Sequence, residues 1–449
     1  MRQLLALVGI LGGVIPTAAQ TSQTPPFQEI IVVTASLEEE EKRELPSSVE
    51  VIDHEEIEAR QSTTVADLVA TATGATVMRS GAPGQVTSLF IRGTESDHTL
   101  VLWNGVELNN PFFAGFNWAF IPSDGVERVE VERWPFSSLY GGDALGGVVQ
   151  IISSSEDGAR VRLEAGEDGY GRIAVTGGRR LGNGRFDVAG HLRRSDGRFD
   201  NEFFDGEELV TRGEWRIARG RSLGFVVRAA DAETGIPFTG GLPSPRRRIS
   251  WRERQLAVPF RAEIGDWRVR AQLSRVTYDS AFRDPEDAFG FTAADTESEA
   301  LRARSVASYR RSSGSWVAFG AEWERLEVDD RSVFGVNLEG ESQRTSAFFA
   351  ELRRALGPVA LELGLRYDDN SAFGSQTSPR LGLLVALGEG IRFRASYGEA
   401  FRAPSIGELF FPFSGNPDLE PETSESFELG VEQTLGRWRW GIVAFENRL

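Results

Sequence analysis

A long alternation of apolar and polar residues with period two constrains this chain more than any other feature. The clearest stretch places Val359, Leu361, Leu363, Leu365 and Tyr367 on one face, opposite Ala360, Glu362, Gly364, Arg366 and Asp368. The pattern recurs at 186–193 and 391–398. These stretches approach the ~9 to 11 residues of a tilted membrane strand and exceed the ~5 to 6 of an average soluble strand. From about residue 160 onward the alternation therefore predicts a transmembrane β-barrel.

Turn spacing supports the same prediction. Short glycine-containing turns lie at 181–185, 218–221, 264–266, 311–314, 355–358, 387–390 and 434–437. Long polar or Gly/Pro-rich connections lie between them, at 195–208, 231–249, 281–295, 331–341 and 398–423. Short turns on one rim and long loops on the other are typical of outer-membrane barrels. An interfacial girdle is predicted for the tryptophans near strand ends, with ordinary core packing as the alternative: Trp215, Trp251, Trp267, Trp316, Trp323, Trp438 and Trp440.

The turns predict about 15 strands before Leu449. Single-chain bacterial barrels usually have an even number of strands and must close, since an open edge in lipid leaves backbone groups unpaired. We therefore expect the sequence to be truncated at its C-terminus. A complete barrel of about 22 strands would have the size of the large plugged transporters.

The N-terminal third differs from the barrel region. An apolar run at 4–15 precedes Thr17-Ala18-Ala19, which predicts a cleaved signal peptide over residues 1–20. Residues 21–43 are predicted to be a leader. Residues 44–155 mix short strands with helical runs and predict a small α/β domain that fits inside a wide barrel, which would occupy residues 156–449.

Composition excludes several classes of function. The 66 acidic and 49 basic side chains give a net charge of −17, which disfavours a nucleic-acid partner. The absence of cysteine removes disulfides, thiol nucleophiles and thiolate-bound metal centres, and only three histidines are present. No cofactor is expected.

Three ordered segments carry a family resemblance. They are 86–106, which contains Ile91-Arg92-Gly93, then 126–148, and then 401–422, which contains Asn416-Pro417-Asp418-Leu419-Glu420-Pro421. Together they resemble the plug and barrel signatures of TonB-dependent outer-membrane receptors, closest to the cobalamin-receptor branch. The resemblance implies a bacterial outer-membrane location and active uptake of cobalamin, a ferric siderophore or another metal chelate. It also implies energy supplied by TonB with ExbB and ExbD.

A TonB box is predicted in the leader. It consists of Glu29, Ile30, Ile31, Val32, Val33, Thr34 and Ala35, flanked by a proline pair and by the acidic run 38–41. An extended β-branched segment suits strand addition to a partner. A plain edge strand of the plug is the alternative.

Ligand contacts are predicted, by resemblance, in two plug loops. The candidates are Arg79, Ser80, Gln85, Asn109, Asn110, Phe112, Phe113, Phe116 and Asn117. Polar groups and flat aromatic rings suit a bulky ligand, and plug-to-barrel packing is the alternative. A calcium site is a further prediction, from the oxygen-bearing side chains of one loop, with a solvated loop as the alternative: Asp196, Asp200, Asn201, Glu202 and Asp205.

Two other functions fit the sequence less well. An outer-membrane hydrolase is disfavoured because His54-Glu55-Glu56-Ile57-Glu58 lacks the second histidine of a zinc-protease motif. A signalling receptor of the same family would carry an extra domain before the box, where only residues 21–28 are available. Transport is therefore the predicted function, and the protein is not expected to be an enzyme.

Overall fold

The computed structural model describes residues 31–32, 36–311, 314–388, 390–436 and 438–449. The predicted signal peptide lies outside these residues. An N-terminal α/β domain is enclosed by a large antiparallel sheet, and ion pairs connect the two from Arg172 on one side of the sheet to Glu428 on the other. The predicted mainly-β architecture is thus confirmed.

The N-terminal domain is built on a five-stranded sheet. Its elements are β1 (Ile31–Val32), β2 (Glu40–Glu41), β3 (Val49–Ile52), α1 (His54–Arg60), α2 (Val65–Val69), β4 (Ala75–Arg79), β5 (Thr87–Ile91), β6 (Thr99–Trp103), β7 (Val106–Glu107), β8 (Val126–Glu132), α3 (Ser137–Tyr140) and β9 (Gly147–Ser153). Short 3-10 helices lie at Lys42–Glu44, Ser96–His98 and Trp118–Phe120. The sheet order is β3-β8-β9-β6-β7, with β6 and β9 parallel, while β1 pairs with β2 and β4 with β5.

Local sequence explains the helices of this domain. Asp53 caps α1 by accepting a hydrogen bond from the Glu56 amide at 3.0 Å. Thr64 and Asp67 form a reciprocal capping box at the start of α2. Behind these helices, buried aliphatic side chains of β5, β6, β8 and β9 form the core.

Within the described part of the chain the large sheet contains fifteen strands, the number predicted. They are β10 (Gly158–Ala165), β11 (Gly171–Leu181), β12 (Gly184–Ser195), β13 (Phe204–Ala218), β14 (Arg221–Gly235), β17 (Arg248–Ile264), β18 (Trp267–Arg283), β19 (Ala293–Arg311), β20 (Ser315–Ser332), β21 (Gly335–Leu356), β22 (Val359–Asn370), β23 (Gly374–Ala386), β24 (Ile391–Arg402), β25 (Glu422–Leu435) and β26 (Trp438–Arg448). One loop contains the small pair β15 (Phe238–Thr239) and β16 (Leu242–Pro243), and another contains α4 (Ile406–Phe410). Successive strands of the sheet are antiparallel neighbours.

The two faces of the sheet invert the usual burial pattern. On β22 the outward Leu365 and Tyr367 are 53% and 47% exposed, whereas the inward Arg366 and Asp368 are 1% exposed. The Arg366 guanidinium donates to the Asp368 carboxylate at 2.9 Å and to the Glu322 carboxylate at 3.0 Å. Buried charges require such partners. An apolar outer face around a paired ionic interior is the arrangement that a lipid environment favours.

The predicted short turns are confirmed on one rim, whereas the predicted long loops on the other rim need correction. Gly182 and Gly265 occupy two-residue turns at φ +60° and +62°, a conformation that favours glycine. The predicted long loop at 331–341 is wrong, because β20 and β21 continue through it to a turn at 333–334. The other predicted long loops shorten to 196–203, 236–247, 284–292 and 403–421. Backbone pairing extends the strands beyond the apolar band, where the alternation no longer marks them.

The tryptophan prediction holds for only part of the set. Trp267, Trp323, Trp438 and Trp440 are at least 42% exposed on the outer face. Trp316 is instead buried against the leader, and Trp251 points inward, with its ring 4.6 Å from that of Phe120 in the N-terminal domain.

Candidate functional site

Within the leader, β1 and β2 form a separate two-stranded sheet. Of the predicted TonB box, Ile31 and Val32 are described as backbone, and the other five residues lie outside the described part of the chain. Ile31 pairs with Glu41 and Val32 with Glu40. The two described residues of the box, Ile31 and Val32, therefore form a two-stranded ribbon with the acidic run and are not part of the five-stranded sheet.

Ion pairs between the domains hold the N-terminal domain inside the sheet. The Arg92 guanidinium lies 2.6 Å from the Glu428 carboxylate of β25, and both side chains are at most 5% exposed. His98 Nε2 is 2.9 Å from the Glu422 carboxylate at the start of the same strand. Charged groups of the N-terminal domain thus pair with the inner face of the large sheet.

The predicted ligand residues of the first loop divide into two groups. Gln85 donates to the Gly235 carbonyl of the sheet at 2.5 Å, which makes it a contact between the domains. Arg79 pairs with Asp67 at 2.5 Å but keeps 42% of its side chain exposed. The exposed Ser80 hydroxyl donates to the Val86 carbonyl. Arg79 and Ser80 thus remain accessible to a ligand.

In the second loop, the two asparagines at its ends hold the loop in shape. Asn109 is buried, accepts from the Val101 amide and donates to the Thr99 and Ala114 carbonyls. Asn117 accepts from the Thr87 and Ala119 amides. Both side chains are committed to the backbone, so the structure favours a packing role for them over ligand contact.

The remaining residues of that loop lie closer to its surface. Asn110 accepts from the Phe112 amide at 2.8 Å. The Phe112 ring packs edge-on against Phe411 beside α4, and the Phe116 ring packs edge-on against Trp118. Phe113 is 49% exposed and is the most accessible aromatic ring of the predicted set.

Sequence reasoning missed a group of phenylalanines in the loops of the long-loop rim. Phe289, Phe334 and Phe413 are each more than 70% exposed. Rings from different loops also meet, since Phe199 lies 5.1 Å from Phe238 and Phe291 lies 6.2 Å from Phe334. Phenylalanine within loops rich in Gly, Pro and Asp was the available signal, because soluble loops rarely expose several such rings.

The predicted calcium loop does not assemble a cation site. Glu202 accepts from the backbone amides of Arg198 and Phe199, and Asp205 pairs with Arg194 at 2.9 Å. The Asn201 amide nitrogen donates to three carbonyls of the neighbouring loop. Asp196 and Asp200 are the other two residues of the predicted site. Among the described residues, the one group of His, Cys, Asp or Glu side chains close enough together to hold a metal ion lies elsewhere.

That other group comprises Glu95, Asp97 and His98. His98 uses both ring nitrogens, since Nδ1 accepts from the Glu95 amide at 3.3 Å and Nε2 contacts Glu422. The Arg402 guanidinium also lies 3.5 Å from the Asp97 carboxylate. The positive charge of Arg402 near Asp97 disfavours a metal ion, and both ring nitrogens of His98 already have partners. The group is therefore a contact between the domains.

The comparisons with known proteins agree with this architecture. Residues 41–148 match the TonB-dependent receptor plug domain, and residues 171–449 match the β-barrel of TonB-dependent receptor-like proteins. The chain belongs to the TonB-dependent receptor family. Members of this family are outer-membrane receptors and transporters, not enzymes, and they are coupled to TonB. No helix in the described part of the chain is long and apolar enough to cross a membrane.

Individual relatives are similar over most of the chain. A vitamin B12 transporter, BtuB of Vibrio vulnificus, is 27% identical over 468 aligned residues, which cover 99% of this chain and 73% of the relative. BtuB of Vibrio cholerae is 28% identical, with coverage of 94% and 70%. A ferric enterobactin receptor variant (PfeA) from Pseudomonas aeruginosa has a TM-score of 0.77 at 20% identity, with coverage of 90% and 71%. At that identity the similarity shows the fold alone.

Proposed function

We propose that this protein takes up a bulky, scarce ligand across the bacterial outer membrane, driven by TonB acting on the leader. The inverted burial of the sheet is the observation that carries the proposal, because it lets lipid contact the outer face while ion pairs hold a plug in the lumen. In this scheme residues 1–20 direct export, 21–43 form the leader, 44–155 the plug and 156–449 the barrel.

The energy source acts at the box, residues 29–35. TonB, energised by ExbB and ExbD, adds a strand to this segment and pulls, and the force reaches the plug along the chain. Transport rather than catalysis is proposed, because the members of the family are receptors and transporters and not enzymes.

Cobalamin is the ligand we favour over a ferric catecholate. The four long loops and the hairpin at 166–170 contain eleven carboxylates and three arginines, a net charge of −8. A ferric tris-catecholate is a polyanion and would be repelled at this rim within a Debye length of about 8 Å. Cobalamin is neutral or cationic depending on its axial ligand, and its flat corrin suits exposed rings such as Phe113. The 27% identity to a vitamin B12 transporter supports the same choice.

Uptake and binding test the two parts of this proposal separately. Cells whose only cobalamin receptor is this protein should accumulate labelled cobalamin when TonB is active, and deletion of residues 29–35 should abolish uptake but leave binding intact. Uptake that survives the deletion would refute the assignment of the box.

A competition assay tests the ligand. Cobalamin should bind the purified protein with a Kd below about 1 μM, and a ferric tris-catecholate should not displace it. Displacement by the catecholate, or cobalamin binding weaker than that limit, would refute the choice of cobalamin.

A further inference from the structure

Two arginines face each other across neighbouring strands on the outer face of the sheet. Arg325 of β20 and Arg344 of β21 are directly opposite in the pairing register. Both side chains point outward, on the same face as Trp323 and Phe348, which are 42% and 68% exposed. Directly opposite side chains have Cβ atoms about 4.5–5.5 Å apart, and like charges in that arrangement are destabilising. The two positive charges therefore repel each other unless an anion lies between them.

The carboxylates of the chain neutralise only one of the two arginines. The Arg325 guanidinium forms an ion pair with the Glu327 carboxylate on its own strand. Arg344 is exposed and forms no ion pair with any residue that the structure describes. The outward carboxylate of β22, Asp369, lies opposite Ser346 and not opposite Arg344. One positive charge of the pair is therefore left for an anion from outside the chain.

The height of the pair on the barrel indicates the source of that anion. Arg354 is the next charged residue on the outward face of β21, ten positions beyond Arg344 and beside the short turn at 357–358. At about 3.3 Å per residue and a tilt of about 40°, ten positions span about 25 Å along the membrane normal, which is the height of the apolar band of an outer-membrane barrel. The outward residues between the two arginines are uncharged: Ser346, Phe348, Ala350 and Leu352. Arg344 therefore lies at the upper edge of the band, towards the long-loop rim.

A lipid headgroup is the anion expected at this edge. The long-loop rim of such a barrel faces the outside of the cell. The leaflet on that side of an outer membrane is built from glycolipid that carries phosphates just above its acyl chains. A guanidinium binds phosphate through two parallel hydrogen bonds, and adjacent arginines can share one phosphate. Trp323 and Phe348 lie immediately below the pair, where aromatic rings are typical of a membrane interface.

We propose that Arg325 and Arg344 bind a phosphate of an outer-leaflet glycolipid, whose acyl chains pack on Trp323 and Phe348. The bound phosphate removes the repulsion between the two guanidinium groups. This inference rests on the proposed outer-membrane location of the protein, since lipid must reach the outer face. It does not depend on the transported ligand or on TonB, because the site lies outside the lumen.

Lipid binding in phosphate-free micelles tests the site. The full chain is held in maltoside detergent and titrated with lipid A, which has two phosphates, or with dephosphorylated lipid A, which has the same sugars and acyl chains. Arg344→Gln should raise the Kd for lipid A about fivefold, the contribution of one arginine at an anionic membrane surface. It should leave the Kd for dephosphorylated lipid A unchanged. Inorganic phosphate at the same concentration should not displace lipid A, because it lacks the acyl chains.

Arg354→Gln is the matched control. Arg354 is an exposed arginine on the same strand and the same face, and it forms no ion pair within the described part of the chain, but it lies at the opposite rim. Its replacement should leave the Kd for lipid A unchanged. An equal loss of affinity in Arg344→Gln and Arg354→Gln, an equal loss for both lipids, or displacement of lipid A by inorganic phosphate overturns the proposal. If Arg344→Gln does not fold, Arg325→Gln takes its place and should show the same selective loss.

Stability without lipid A separates lipid binding from a structural role. In micelles alone, Arg344→Gln should leave the unfolding equilibrium constant unchanged or lower it by up to about fivefold, because the substitution relieves a like-charge pair. With lipid A present, the same substitution should raise that constant relative to wild type, because less lipid stabilises the folded state. A rise of equal size with and without lipid A would assign Arg344 a structural role and overturn the site.

The wild-type chain separates this inference from the location on which it rests. If it remains folded in water without micelles, the outer-membrane location fails and the lipid site fails with it. If it requires micelles but binds lipid A and dephosphorylated lipid A equally well, the location stands and only the phosphate site is wrong.

Discussion

Substitution of Leu363 by arginine tests the claim that lipid contacts the outer face of the sheet. Leu363 lies near the centre of β22, and its cross-strand neighbours are Leu352 and Leu381. All three side chains are 42% exposed and point outward. An arginine here would be placed in the apolar band with other leucines on both sides.

The expected magnitude follows from the depth of the site. An arginine on the lipid face near the bilayer midplane costs about 2–4 kcal/mol, falling to about 0–1 kcal/mol near the interface. Leu387 provides the matched control, because it is 48% exposed but lies at the turn after β23, on the rim. Leu363→Arg should therefore lower the free energy of unfolding by about 2–4 kcal/mol and Leu387→Arg by no more than about 1 kcal/mol.

The assay is denaturant unfolding of each variant folded into lipid vesicles, followed by tryptophan fluorescence. For a protein whose outer face contacts water, exposed substitutions usually change stability by less than about 0.5 kcal/mol. If Leu363→Arg lies within that range, or if both variants lose the same amount, lipid does not contact this face and the transport proposal fails with it.

Three further predictions concern the plug. Arg92→Gln leaves the buried Glu428 carboxylate without its partner, so unfolding should become easier by about 3–5 kcal/mol and plug protection in hydrogen exchange should fall; unchanged protection would show that the pair does not hold the plug. Burial and the nearby Glu324 raise the pKa of Asp143 to about 7, so the folded state holds a proton that the unfolded state releases. Stability should therefore decrease as the pH rises from about 4 to 7, by at most about 4 kcal/mol, and Asp143→Asn should remove this slope in unfolding measured at several pH values; a slope that persists in Asp143→Asn would exclude this origin. Asn109→Ala leaves the Val101 amide without its partner and should cost about 1–3 kcal/mol of stability; lost ligand binding at unchanged stability would instead assign Asn109 to the ligand site.

Local pattern was sufficient for the architecture. The alternation of Leu363 and Leu365 with Glu362 and Arg366 indicates which face meets lipid, because side chains of a strand alternate whatever it pairs with. The short glycine turns likewise gave the strand count, since a two-residue turn is decided by the residues within it.

The predicted loop boundaries were wrong where strands continue beyond the apolar part of the outer face. The segment 331–341 contains two glycines and three charged residues and resembles a loop in sequence, yet β20 and β21 pair through most of it. Polar residues beyond the apolar part of the outer face are compatible with a strand or with a loop. Backbone pairing with a neighbouring strand therefore decides between the two.

By itself, the sequence determined the class of fold, the inward and outward faces and the family, because each depends on a repeating local pattern or a contiguous motif. Tertiary structure alone decided that Asn109 supports a loop, that Trp316 receives the leader and that Glu38 is buried beneath three arginines. Glu38 and Arg310 are 272 residues apart in the chain. Their meeting depends on the register and curvature of the strands between them, and no local pattern records those quantities.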